Sequence, residues 1–207
     1  MARQVFISFR FSDGVEYKEN LCELFDQDDD VIDCSEDVDR SDMSDETIQK
    51  YLYKKLKSTS ITIVILTPDA IEYNINYWTG KYDDWMYDEL RYSLEDRENN
   101  NTNGVVAIYT EDAKDLLITT STHKCDICKK NTTVSNILDT NNLVRKNMMN
   151  VKENYKKHKC NNLFDYLEDS YISLISYDEF ISDINKYIEN AISKKERRDE
   201  FTLTKRM

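Results

Sequence analysis

Three stretches of this chain are continuously apolar rather than alternating: Val5-Phe6-Ile7, Ile61-Thr62-Ile63-Val64-Ile65-Leu66 and Gly104-Val105-Val106-Ala107-Ile108-Tyr109. A strand wetted on one face alternates polar with apolar, whereas a strand covered on both faces can be apolar throughout. The runs therefore predict parallel strands inside a sheet sandwiched by helices. Val31-Ile32 and Tyr171-Ile172-Ser173-Leu174-Ile175 are two further strand candidates. With one proline, Pro68, and three glycines, the chain lacks the punctuation of a many-turned all-β protein.

The gaps between these runs repeat at helical period. Val15, Leu21, Cys22 and Phe25 mark one helix, and Ile48, Leu52 and Leu56 a second, which Ser44 would cap with Asp45 and Glu46 in its first turn. Trp85, Met86, Leu90 and Leu94 mark a third. Phe180, Ile184, Ile188 and Ile192 mark the last, where Ser176 and Glu179 have capping-box spacing. Alternation of strand and helix predicts an α/β class with right-handed crossovers. Ligands of such sheets bind beyond the carboxyl ends of the strands. Here those ends are Ser8 to Asp13, Asp33 to Asp42, Thr67 to Asp84, and the chain after Tyr109.

Charge narrows the partners. The net charge is −12, and eleven carboxylates fall between Asp26 and Glu46 against the single base Arg40. Such a face repels a phosphate backbone, so no nucleic-acid partner is expected. The short basic clusters, Lys152 to Lys159 and Lys194 to Arg198, read as solvated helix surface. No apolar run reaches the length of about 18 residues that a membrane helix needs, and no apolar signal region opens the chain. The expectation is a cytoplasmic protein with no membrane partner and with reduced cysteines. Cys22 and Cys34 read as structural.

Residues 1–195 are read as a single domain and 196–207 as a polar tail. The stretch 111–170 interrupts the rhythm as an insertion rich in Asn, Lys and Thr. A bare loop of that length is rare in a compact domain, so helix is expected over Leu143–Tyr155 and Leu163–Leu167. Cys125-Asp126-Ile127-Cys128, with His158-Lys159-Cys160, is the one metal-like constellation. Free thiols and no metal are the preferred reading. The alternative is a structural zinc on Cys125, Cys128, His158 and Cys160, with His123 as a spare ligand.

The first half of the chain resembles a TIR domain through several pieces in order. Val5-Phe6-Ile7-Ser8-Phe9-Arg10-Phe11-Ser12-Asp13 is similar to the family's first strand and loop. The acidic loop Ser35 to Ser44 stands where the family has its BB loop, and Lys57-Ser58-Thr59-Ser60 leads into the third strand in the family's manner. Trp85-Met86-Tyr87-Asp88-Glu89-Leu90 resembles the family's Trp-Cys-x-x-Glu-Leu pattern, with Met86 at the usual cysteine. The resemblance spans about residues 3–110 and 171–193, and the insertion and long third loop look like the TIR-like subunits of Thoeris anti-phage systems.

The resemblance implies a flavodoxin-like three-layer sandwich around a mostly parallel five-stranded sheet, with the long insertion before the last strand. It implies cleavage of NAD, as substrate with no prosthetic group, with Glu89 as the catalytic carboxylate. Ser8, Phe9, Arg10, Asp39 and Trp85 would line the nucleotide site. TIR-like self-association or a partner effector protein is the implied protein contact.

The chemistry suits a single carboxylate. Nicotinamide leaves NAD as a neutral base, so its departure needs no general acid, and the carboxylate stabilises the ribosyl cation left behind. Ordinary glycosidases need two carboxyls. Trp85 and Glu89 are one turn apart on one helix face, whereas Asp88 lies about 100° away. The competing readings are structural: Glu89 as a solvated glutamate paired with a base, Phe9 as core, Arg10 paired with the acidic loop, and Asp39 as plain surface. Tyr73, Tyr77, Trp78 and Tyr82 would wall a pocket, form a partner surface, or pack their own loop. A non-catalytic assembly module on the same fold is the second functional reading. A phosphorylated receiver is disfavoured, because no acceptor aspartate ends the third strand.

Overall fold

The computed structural model describes residues 3–26, 31–33, 45–80, 82, 84–96, 102–157, 160 and 163–207. Strand β1 (Arg3–Ser8) leads to helix α1 (Val15–Asp26), β2 (Val31–Asp33) to α2 (Asp45–Ser58), and β3 (Ile61–Leu66) through a long loop to α3 (Trp85–Leu94). After β4 (Gly104–Tyr109) come α4 (Lys114–Leu117), strands β5 (Ile118–Lys124) and β6 (Asn131–Ile137), and α5 (Leu143–Lys146). The chain ends through β7 (Ser173–Ser176), α6 (Tyr177–Ser182) and α7 (Ile184–Glu196).

Four parallel pairings join the main strands in the order β2-β1-β3-β4-β7. The chain moves outward from β1 to β2, then returns past β1 to β3, so the order reverses between β1 and β3. All six residues of β3 are buried, which explains its lack of alternation. Val5, Ile7, Ile61, Ile63 and Ile65 pack under Leu21 and Phe25 of α1 and under Ile188 and Ala191 of α7. On the other face, Val64, Leu66, Val105 and Ala107 pack with Met86, Leu90 and Leu94 of α3. Helices thus flank a mostly parallel sheet on both faces, an arrangement compatible with a flavodoxin-like sandwich.

The insertion differs from expectation. Helix over Leu143–Tyr155 is confined to the four residues of α5, capped by Asn142 accepting the Arg145 N–H. Met149, at φ +49°, turns the chain out of helical geometry soon after. Residues 166–168 form only a turn, in place of the second expected helix. The unanticipated element is an antiparallel hairpin, β5 against β6, in register from Ile118↔Ile137 to Lys124↔Asn131. Its strands are rich in Thr and Ser, which favour the pleated backbone without adding an apolar signal.

The last helix is also split. The chain breaks at Asp183 (φ −157°), whose side chain accepts the Lys186 N–H and starts α7 anew. Ser176 caps α6 by accepting the Glu179 N–H, as the capping-box spacing predicts. The C-terminal stretch read as a polar tail is docked on the domain. Phe201 is buried beside Tyr171, and Arg206 and Lys205 pair with Glu95 and Asp96. Ser44, the expected cap of α2, and Cys34 lie outside the described residues. Cys22 is half-buried at the edge of the α1 core.

Candidate active site

The carboxyl ends of β1 and β3, where strand order reverses, bring Ser8 and Glu89 into contact, with Arg10 following β1. Ser8 is the last residue of β1 and fully buried, and its Oγ donates to Glu89 Oε2 at 2.6 Å. Glu89 is 8% exposed, so it is not the solvated glutamate of the competing reading. The base on this helix, Arg91, pairs instead with Asp88 at 2.9 Å and with Tyr53 at 2.6 Å. Helical phase explains the division of labour: Glu89 lies over the sheet, and Asp88 is turned to the half-buried flank where Arg91 meets it.

α3 is held at a fixed height above the strands by a polar row beneath it. Ser93 Oγ donates to the Glu89 carbonyl and lies 2.8 Å from Thr62 Oγ1, which in turn accepts from Asn103 Nδ2. These contacts stitch the turn carrying Glu89 to β3, so its carboxylate is positioned by backbone and sheet together.

Arg10 follows β1 and reaches across to Asp84, with Nη2 2.7 Å from Oδ2. Asp84 is the N-cap of α3; its Oδ1 accepts the N–H groups of Met86 and Tyr87. The Arg10 partner is therefore a cap residue that the sequence reading did not single out, although an Asp just before a helical repeat is a readable cap signal. Arg10 Nε is buried without a partner among the described residues. An orphaned donor at a charged group is the kind of position a ligand anion satisfies.

Phe9 is in the α1-side core and touches the Phe11 ring at 4.8 Å, in line with its structural reading. Trp85 is half-buried against Phe6, Leu56 and Tyr51, on the flank of α3 facing α2. Asp39 and Arg40 lie outside the described residues. The β1–α1 loop is closed tightly: the Gly14 N–H donates to the Arg10 carbonyl at 2.7 Å, and a Cβ at Gly14 would stand 2.7 Å from that oxygen. Asp13 then ties this loop to the end of β3, accepting from Thr67 Oγ1 at 2.6 Å and the Asp69 N–H at 3.0 Å.

No protein-family model matches the chain.

The aromatic group ahead of α3 divides. Tyr73 is buried and Tyr82 packs edge-on against it, whereas Tyr77 and Trp78 are fully exposed on a turn closed by Gly80 at φ +64°. Away from these residues, a cavity of about 590 Å³ lies at the ends of β4 and β7, lined by Tyr109, Ile137, Met148, Phe164, Tyr166 and Glu179 among others. Glu179 accepts from Tyr166 and Tyr187, and burial with that carboxylate pushes both phenols up to about 12.

The cysteines of the insertion converge. The sulfurs of Cys125, Cys128 and Cys160 lie within 4.8 Å of one another. His158 lies outside the described residues, and His123 stands on β5, two positions before Cys125. The Cys128 N–H donates to Cys125 Sγ at 3.4 Å and draws that thiol below its ordinary value.

Proposed function

We propose that this chain is a TIR-like NAD-cleaving enzyme that uses Glu89. The observation carrying the reading is the 2.6 Å contact from the Ser8 hydroxyl to the Glu89 carboxylate at the point where strand order reverses, the position where open α/β sheets take their ligands. Burial supports it, because a carboxylate held away from water stabilises a developing cation far better than one in solvent.

In the proposed reaction the ribose C1′–nicotinamide bond breaks and its electron pair leaves with the neutral ring. Glu89 faces the resulting ribosyl cation and Ser8 holds the carboxylate in place. Water adds at C1′ and loses a proton to solvent, giving ADP-ribose. Attack by a hydroxyl or an adenine nitrogen of the same molecule gives a cyclic isomer instead, suited to signalling in anti-phage defence. Arg10 offers to the diphosphate its Nε–H, which has no partner among the described residues, and Trp85 stands one turn before Glu89 on α3.

A second reading, a non-catalytic assembly module, draws on the fully exposed Tyr77 and Trp78, since large aromatics concentrate at interface centres. The two separate on NAD turnover by the purified chain, alone and assembled, with products resolved by mass spectrometry. Wild type is expected to release nicotinamide, and Glu89→Gln to lose about 10²–10³ in rate, the scale for removing a preorganised charge stabiliser. Equal turnover in the two proteins would remove Glu89 from the chemistry. Inert wild type in every state, with assembly intact, would hand the chain to the second reading.

A further inference from the structure

We propose that Cys125, Cys128 and Cys160 form a structural zinc centre that staples the β5–β6 hairpin to the chain entering Leu163. The geometry needs little adjustment. A tetrahedral ion with Zn–S bonds of about 2.3 Å holds its sulfurs about 3.8 Å apart. The three sulfurs lie within 4.8 Å of one another, so closing on zinc requires a contraction of about 1 Å at most.

The turn between β5 and β6 is built to present two of them. The Cys125 N–H donates to the Lys130 carbonyl and the Lys129 N–H to the Cys125 carbonyl, at 3.0 and 2.9 Å. Lys129 takes φ +60°, a left-handed conformation that closes the turn between the two strands. The Cys128 N–H then points at Cys125 Sγ, and N–H donors on the ligand atom are the support a metal-bound thiolate requires. Cys160 is fixed from the other side, its carbonyl accepting from the buried Lys156 ammonium at 3.1 Å.

The hairpin supplies the reason for a staple. Most of β5 is exposed, with only its first residue and His123 half-buried. An isolated two-stranded hairpin is marginal in water, and this one has little apolar area to hold it. The two segments joined by the thiols are also those that wall the 590 Å³ cavity, through Ile118 and residues 133–137 on one side and Leu163, Phe164 and Tyr166 on the other. Binding releases the three thiol protons to solvent and places three anionic sulfurs on the ion. Three thiolates leave one tetrahedral position open to solvent or a further donor. A disulfide would use two of the sulfurs and leave the third unexplained.

The test is metal analysis of the full chain purified under reducing, zinc-replete conditions, with cobalt exchange and thermal unfolding with and without chelator. About one zinc per chain is expected, with the visible bands of tetrahedral thiolate-bound cobalt on exchange and a lower Tm after chelation. Cys128→Ser and Cys160→Ser lose the metal, while Cys22→Ser, on the distant α1, keeps it. Should the two serine variants fail to fold, the cobalt spectrum and chelator shift of the wild type decide alone. Substoichiometric zinc with a Tm indifferent to chelator overturns the proposal, as does an intact mass showing a disulfide in the reduced preparation.

Discussion

Asp84 Oδ1 accepts two N–H groups at the start of α3, while Oδ2 accepts from the Arg10 guanidinium and the Asn74 N–H. One side chain therefore caps the helix carrying Glu89 and neutralises the arginine beside it. Its side chain is 0% exposed, while that of Arg10 keeps 18% exposure. Asp84→Asn keeps an oxygen for the cap but turns an amide group toward Arg10 and Asn74, donor against donor. The expected loss is about 2–3 kcal/mol, more than the ~1 kcal/mol of a cap alone, because a buried charge is left without its partner. Urea unfolding of the variant measures it, and a loss under about 1 kcal/mol would mean that the cap is all Asp84 supplies. At this scale the sequence was a partial guide. Ser8, Arg10 and Glu89 are named through the TIR resemblance, with strand-end and helix positions placing them near the crevice, but their actual partners depend on the lateral placement of β1 under α3, which no local pattern encodes.

Elements with a strongly buried apolar run or stripe were the readable ones. β1, β3 and β4 announce themselves as unbroken apolar runs, and α3 begins at Trp85 as its repeat indicates. The β5–β6 hairpin was silent because its residues face water and its Thr and Ser residues carry β-propensity without periodicity. The split of the last helix at Asp183 was equally hidden, since the apolar repeat Phe180, Ile184, Ile188 continues through the break. One glycine shows how closely elements are packed. Gly104 opens β4, and a Cβ there would stand 2.5 Å from the Ala191 carbonyl oxygen of α7. The neighbour is backbone, so it cannot swing away. Gly104→Ala is expected to destabilise by about 1–3 kcal/mol, the cost of overpacking, with α7 pushed off the sheet edge. Denaturant midpoints read the size, and an unchanged midpoint would show that α7 slides freely.

At the scale of the whole molecule, Lys194 is the most deeply buried base among the described residues, although its basic cluster reads as solvated surface in the sequence. Lys194 on α7 is 1% exposed, and its ammonium donates to the carbonyls of Leu167 and Ser170 and to Ser173 Oγ. These acceptors join α7 to the chain that leads into β7, so the lysine fastens the insertion's exit to the main body. Desolvation lowers its pKa from 10.5 to about 7, only partly countered by Glu168 and Asp165, with Arg197 adding to the depression. In the unfolded chain the amine returns to its ordinary value. Between those limits the unfolded state binds more protons than the folded one, so this group makes stability rise with pH from about 7 to 10.5. Below that window both states are protonated and the full desolvation cost is present. The slope contributed approaches about 1.4 kcal/mol per pH unit where the folded amine is neutral and the unfolded one charged. Lys194→Met removes the titration, and the difference between wild-type and variant stability profiles cancels the thiols and tyrosines that titrate in both. That difference is expected to climb through the window. A flat difference would mean that the three acceptors hold the ammonium charged to its ordinary pKa, making the contact a buried cation site rather than a neutral amine in the core.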